Sequence, residues 1–257
     1  MHDLNIIVLL CLSSFISIYP LFIWIDQGKQ YSASFYNFHM AFPTILLSLL
    51  ACLFQILGFS QSYEFWLWIL IFLICTAFIW NREPVNPFII SLPSCYGLYL
   101  NIKWHEFFLE PSLIDHILLS LNSLGFVGSI YAGTLGHFYL NIPGLPLKFL
   151  RRSTLFYTSF LILELFMIIG IYFKQKPIYY GDAISLISFM KTFEGFFLAF
   201  ALFLGTVFSL SLSFMALHII RLKNTQAATG LLYVIGLALI MTHILYKYYA
   251  LTYKVFL

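Results

Sequence analysis

Residues 153–173 read STLFYTSFLILELFMIIGIYF, an apolar run of 21 residues that contains one ionisable side chain, Glu164. At 1.5 Å per residue, an α-helix of this length measures about 31 Å, close to the thickness of the hydrocarbon core of a bilayer. The stretch therefore predicts a transmembrane helix with one carboxyl group near its middle.

The rest of the chain is similarly apolar. Of 257 residues, 61% are hydrophobic and 9% are charged, whereas a soluble domain has about a quarter of its residues charged. Further apolar runs are separated by polar or Pro/Gly-rich breaks. Together they predict seven spans, at residues 4–25, 36–59, 63–80, 112–139, 153–173, 191–219 and 227–250. The expected fold is all-α, a single polytopic membrane helix bundle over residues 1–257.

The stretch 86–102 leaves the number of spans open between eight and seven. It is short and is interrupted by Pro87, Pro93 and Gly97, so it is either a bent span or a re-entrant segment. If it crosses the membrane, there are eight helices and both termini lie on one side. If it does not, there are seven and the termini lie on opposite sides.

The placement of charge indicates an orientation, because cytoplasmic loops collect Lys and Arg. With eight spans, one face holds all four arginines and three lysines: Arg82, Arg151, Arg152, Arg221, Lys29, Lys148 and Lys223. The opposite face keeps Lys103, Lys174, Lys176, Lys247 and Lys254. The arginine-rich face is expected to be cytoplasmic, which puts both termini outside the cytoplasm. Because the basic residues are scattered, we expect no nucleic-acid partner.

Histidines at membrane depth form the most informative pattern. His39, His137 and His218 come from three helices and are expected in the cytoplasmic leaflet, whereas His116 and His243 lie toward the other leaflet. His116 and His137 are 21 residues apart, about 31 Å along one helix. This resembles the plan of a two-haem membrane cytochrome, since neutral imidazole ligates haem iron. Quinone hydrogen bonding and purely structural roles for these histidines are the alternatives.

The rim after the fourth span adds polar groups near His137. Tyr139 and Asn141 follow it, and Arg151 and Arg152 begin the next helix. With Arg221, these side chains are candidates to bind a quinone carbonyl or the propionates of haem b. Apart from haem iron, no metal site is expected.

Glu164 is the most costly residue for a membrane to accommodate, because an ionised carboxylate in hydrocarbon is strongly disfavoured. Desolvation favours its protonated form unless a partner compensates. Glu164 is therefore a candidate proton relay, with a neutral carboxyl bonded to a neighbouring helix as the alternative.

Two segments carry a resemblance to known proteins. Residues 136–147 read GHFYLNIPGLPL and residues 224–233 read NTQAATGLLY. The pair resembles the two signatures of a family of uncharacterised bacterial polytopic membrane proteins, in which the first motif usually reads Gly-His-Trp-Tyr-Leu, so Phe138 departs from it. The likeness covers the chain from about residue 112 onward. It implies a bacterial membrane protein with a site built by those two segments, and it carries no established activity. The expected location is the inner membrane.

These observations favour a membrane subunit of a redox complex that contacts quinone or haem b through His39, His137 and His218. The competing function is a transporter of a small solute, an ion or protons, with residues 86–102 and Glu164 along its path. A third is a structural subunit. In each case the expected partners are the lipid bilayer and other membrane subunits.

Overall fold

The computed structural model describes residues 2–26, 33–58, 62–82, 86–142, 145–171 and 174–257. Within them the predicted all-α class is confirmed, with one short β-hairpin as the exception. The chain forms two compact units, Met1–Phe108 and Leu109–Leu257. Lys29, which the sequence assigned to the cytoplasmic face, lies outside the described residues.

The described residues of the Met1–Phe108 unit form four α-helices. They are α1 (His2–Ile18), which continues as a 3₁₀ segment (Tyr19–Asp26), α2 (Ala33–Ile56), α3 (Tyr63–Ile79) and α4 (Pro87–Leu109). Large aromatic side chains fill its interior. Phe54 stacks on Phe65 with ring centroids 3.9 Å apart, and the Trp68 side chain is fully buried.

Helix α4 covers all but the first residue of the stretch 86–102, which Pro and Gly interrupt in the sequence. It runs without interruption through Pro93 and through residues 102–109. Proline removes one backbone donor from a helix, and side-chain contacts hold this helix in place. Trp68 Nε1 donates to the carbonyl of Pro93 at 2.8 Å, and Asn101 Nδ2 donates to the hydroxyls of Ser13 and Ser14 at 2.8 and 3.1 Å. These contacts make up for the local disruption that composition alone predicts.

The described part of the Leu109–Leu257 unit contains six α-helices. They are α5 (Leu113–Asn141), α6 (Lys148–Ile171), the one-turn α7 (Leu186–Phe189), α8 (Phe193–Leu202), α9 (Ser209–Arg221) and α10 (Thr225–Tyr253). Of these, α5 and α10 are the longest at 29 residues each. A π-helical segment, Phe203–Phe208, joins α8 to α9 in one continuous helix. Between α6 and α7, strands β1 (Ile178–Tyr179) and β2 (Asp182–Ala183) pair antiparallel.

Helix ends in this unit are fixed by the residues that the sequence offers. Ser112 and Asp115 form a reciprocal capping box at the start of α5, and Asn224 caps α10 by accepting from the backbone N–H of Ala227 at 3.1 Å. Short turns make successive helices antiparallel. The end of α5, the start of α6, the end of α9 and the start of α10 therefore lie together. We call this the cationic end, because it carries Lys148, Arg151, Arg152, Arg221 and Lys223. We call the other end the hairpin end.

Six described helices are long and apolar enough to cross a membrane: 3–25, 33–56, 113–141, 148–171, 193–221 and 225–253. Helix α3 is apolar but shorter, at 17 residues. Each of the seven predicted spans thus coincides with a helix, and six of them reach spanning length.

Candidate functional site

A buried polar cluster joins three helices of the Leu109–Leu257 unit. The Asn122 Nδ2 on α5 donates to Oε1 of Glu164 on α6 at 3.0 Å. The Oδ1 of the same amide bonds to Nδ1 of His243 on α10. Because an amide oxygen only accepts, the His243 Nδ1 carries the proton in this arrangement. The side chains of Glu164, Asn122 and His243 are buried, with at most 2% of their surface exposed.

The cluster lies well inside the unit, toward the hairpin end. Asn122 is nine residues from the start of α5 and His243 is ten residues from the end of α10, about 14 and 15 Å along the helices. Glu164 is seven residues from the end of α6, about 10 Å. The three groups therefore meet at membrane depth, where hydrogen bonds to water are not available to them.

Two more polar side chains of α10 extend the cluster. Tyr246 interacts electrostatically with Glu164, and its hydroxyl, like Oε2 of Glu164, is buried without a hydrogen-bond partner among the described residues. Lys247 follows on the next turn after His243 and is fully buried. The sequence placed Lys247 on the outer face. The structure instead buries its side chain. His243, Tyr246 and Lys247 are therefore three titratable residues within five positions of one helix.

Tight packing surrounds these groups. The ring of Phe126 stacks on that of His243 with centroids 4.6 Å apart. Gly125 lets α6 approach, because a Cβ at this position would lie 2.8 Å from Leu161. Thr242, next to His243, donates to the carbonyl of Ala201 at 3.3 Å, just before the π-helical segment. Single π-helical turns in α-helices occur frequently at functional sites.

The hairpin end closes over this side of the unit. Tyr179 of β1 donates to Oε2 of Glu194 at 3.0 Å, and the Tyr249 hydroxyl bonds to the Glu194 carbonyl. Burial, together with the hydrogen bond to Glu194, raises the pKa of Tyr179 to about 12. The phenol therefore remains a neutral donor at physiological pH and keeps the hairpin attached to α8.

At the cationic end, the two sequence motifs meet. His137 Nδ1 and the Tyr233 hydroxyl are hydrogen-bonded at 3.1 Å, which joins the end of α5 to the start of α10. Gly136 lies against Thr229. The small residues of α5 thus serve close helix packing, and the polar residues of the two motifs come within reach of each other.

This packing yields a stability prediction. A Cβ at Gly136 would lie 2.7 Å from Thr229 Oγ1 and 3.1 Å from its Cγ2. We expect Gly136→Ala to lower the free energy of unfolding by about 1–3 kcal/mol, the usual cost of overpacking. Adding Thr229→Ala should restore most of the loss. Thermal unfolding in detergent measures the change.

The matched control is Gly230→Ala, one residue after Thr229 in α10. A Cβ there would have no atom within 4 Å, so the higher helix propensity of alanine should leave stability unchanged or raise it. If Gly136→Ala behaves like Gly230→Ala, then the two motifs do not pack as described.

The other predicted site residues of this unit differ in how exposed they are. His137, His218, Arg151, Arg152, Arg221 and Asn141 are exposed at the cationic end. Tyr139 is buried and donates to the Pro146 carbonyl, and Asn141 Nδ2 donates to the His137 carbonyl at 3.1 Å. His116 is half-buried, on the first turn of α5. Part of the first motif, Pro143 and Gly144, lies outside the described residues.

His39 belongs to the Met1–Phe108 unit. Its ring is fully buried, its Nδ1 is hydrogen-bonded to the Tyr19 hydroxyl at 2.8 Å, and the ring of Phe35 lies 4.2 Å away. Aromatic rings thus contact this imidazole closely on several sides, as in a structural role. Among the described residues, no group of three His, Cys, Asp or Glu side chains could hold a metal ion.

Sequence reasoning singled out Glu164 and His243 but assigned them to different sites. It missed Asn122, the amide that connects them, and Tyr246. The feature of the sequence that could have identified Asn122 is a single amide within an apolar run, LLSLNSLGF at 118–126. Such amides bond to neighbouring helices when no water is near.

No protein-family model, no curated protein and no solved structure matches the chain. The resemblance stated above therefore depends on the two motifs alone and stays a prediction.

Proposed function

We propose that the protein is an integral membrane protein that moves protons, alone or together with a solute, through its Leu109–Leu257 unit. Glu164 is the group that carries the proton. The observation that supports this most directly is the buried hydrogen-bonded chain from Glu164 through Asn122 to His243.

The chemistry of this chain suits proton exchange. Carboxyl and imidazole groups both change protonation in the physiological range when their surroundings are adjusted. The Asn122 amide holds Glu164 by one carboxyl oxygen, which leaves Oε2 as the atom that accepts or releases the proton. Nδ1 of His243 keeps its proton in the hydrogen bond to Asn122, so Nε2 is the ring atom that exchanges a proton. Tyr246 and Lys247 are further titratable residues of α10, closer to the hairpin end than His243.

The test uses the purified chain in sealed phospholipid vesicles with a pH-sensitive dye inside. A potassium gradient with valinomycin drives proton entry. We expect an internal pH change faster than in vesicles without protein. Equal rates in both preparations would exclude proton movement by the chain alone.

A second function, contact with quinone, is favoured by a groove beside the two motifs. An apolar cavity of about 240 Å³ lies between α5 and α10, and its walls include Gly133, Tyr233 and Gly236. His137 and Tyr233 could bond to a quinone carbonyl while the isoprenoid tail follows the groove. Arg151, Arg152 and Arg221 would supply positive charge at the same end. On this second proposal the protein is a membrane subunit of a redox complex, with other membrane subunits as its partners.

We expect Tyr233→Phe and His137→Ala each to weaken the binding of a short-tailed ubiquinone about fivefold, the effect of losing one hydrogen bond. Tyr180→Phe at the hairpin end is the control and should bind normally. Intrinsic fluorescence quenching measures the affinity. Equal quinone affinity of the wild type and the three variants would mean that quinone does not bind at this site.

Haem b stays a separate proposal, with His137 and His218 as the accessible ligands and His116 and His243 as the second pair. The tight packing of His39 fits a macrocycle poorly. A reduced-minus-oxidised absorption spectrum of the purified chain tests the proposal, since a bound haem b gives a Soret band that His137→Ala or His218→Ala would abolish.

For the topology, we propose eight spans in the inner membrane of a bacterium, with α3 and α4 as the pair beyond the six long helices. At 23 residues, α4 measures about 34 Å, enough to cross. Single cysteines at Arg82 and Glu110 should then react with a membrane-impermeant maleimide from opposite sides in oriented vesicles. Labelling of both from one side would contradict the crossing.

A further inference from the structure

The Met1–Phe108 unit contains a cavity of about 220 Å³ with a charged mouth. Its walls are aromatic and include the side chains of Phe54, Trp104, Phe107 and Phe108. Glu64 and Lys103 lie at its edge and form an ion pair, with Lys103 Nζ 2.9 and 2.7 Å from the two carboxylate oxygens. The cavity thus combines one acid, one base and an apolar interior.

Its position matches the surface of a bilayer. Glu64 is on the first turn of α3 and Lys103 is within the last two turns of α4, while α2 ends two residues after Phe54. Tyr63, Trp66, Tyr99 and Phe107 are exposed around it. Aromatic side chains concentrate at the depth of lipid headgroups, so the cavity opens where headgroup and acyl chain meet.

From these features we infer that the cavity binds a zwitterionic phospholipid with a primary ammonium, phosphatidylethanolamine. The ammonium of the headgroup donates hydrogen bonds to Glu64, its phosphate pairs with Lys103, and part of an acyl chain fills the aromatic interior. Charge-assisted hydrogen bonds of this kind are short and directional.

Opening the existing ion pair is cheap. Half of the Lys103 side chain and 19% of the Glu64 side chain are exposed, and ion pairs that reach solvent contribute little to stability. The lipid replaces each lost partner with a group of the same charge. Phosphatidylglycerol lacks the ammonium, and phosphatidylcholine lacks N–H donors, so neither satisfies both residues.

The experiment is native mass spectrometry of the full chain released from nanodiscs. The nanodiscs contain equal parts of phosphatidylethanolamine, phosphatidylcholine and phosphatidylglycerol. We expect retention of one phosphatidylethanolamine about tenfold above the other two lipids. Lys103→Gln and Glu64→Gln should each remove this preference, and Lys103→Arg should keep it because the positive charge remains.

Arg82→Gln is the control, because Arg82 is another exposed cation of the same unit, stacked on Phe78. It should leave the preference unchanged. Equal retention of the three lipids by the wild-type chain would overturn the inference, and so would a preference that survives both Gln variants. The wild-type comparison decides the matter even if a variant fails to fold.

Discussion

Glu164→Gln is expected to abolish proton movement and leave the fold intact. Glutamine has nearly the same shape and keeps an oxygen that can accept from Asn122 Nδ2, so the contact between α5 and α6 survives. It has no titratable proton. In the vesicle assay, the rate should fall by at least about 100-fold, the scale of a lost acid–base group. Stability should change by less than about 1 kcal/mol.

Glu106→Gln is the matched control, since Glu106 is an exposed carboxylate on α4. It should move protons at the wild-type rate. If Glu164→Gln folds and still moves protons at the wild-type rate, Glu164 is not the proton carrier. Protons would then cross by another route.

Asn122→Leu should give the largest loss of stability. Leucine is close in volume but removes both hydrogen bonds of the amide, leaving Oε1 of Glu164 buried without the donor it has now. A buried polar group that loses its partner costs about 1–3 kcal/mol, and Glu164 and His243 both lose the Asn122 amide here, so the total is about 3 kcal/mol or more. We expect the free energy of unfolding to fall by that amount, measured by thermal or detergent-induced unfolding.

Two further variants test the cause. Ser123→Ala, at the neighbouring position, removes a hydroxyl that bonds to its own helix at the Leu119 carbonyl, so its effect should stay within about 0.5 kcal/mol. The double variant Asn122→Leu/Glu164→Leu should recover part of the stability lost in Asn122→Leu, because no carboxyl oxygen is then buried without its donor, while Nδ1 of His243 lacks the Asn122 acceptor in both variants. No recovery would mean that the loss comes from packing or from His243.

The sequence predicts the helices well because bilayer thickness imposes a simple rule on apolar runs. The predicted span 112–139 matches α5 to within two residues at each end, and the predicted span 227–250 lies inside α10. Local capping rules also account for the helix starts at Ser112 and Asn224 in the structure. The rules failed at Pro93, where tertiary hydrogen bonds from Trp68 and Asn101 maintain a helix that proline and glycine locally disfavour.

The site was harder to predict because helix neighbours in a bundle do not follow from their order along the chain. Asn122 and His243 are 121 residues apart and yet bonded. Only the packing of α5 against both α6 and α10 brings Glu164 and His243 to the same amide. Lys247 shows the same effect, since its position near the end of the chain suggested a surface lysine and packing buries it.

The most direct test of the central claim, that Glu164 exchanges a proton from inside the membrane unit, is infrared difference spectroscopy of the purified chain during a pH titration. We predict a carboxyl C=O band that changes with pH, shifts in deuterated buffer and is missing from Glu164→Gln. A spectrum in which Glu164→Gln and wild type show the same carboxyl bands would contradict the claim.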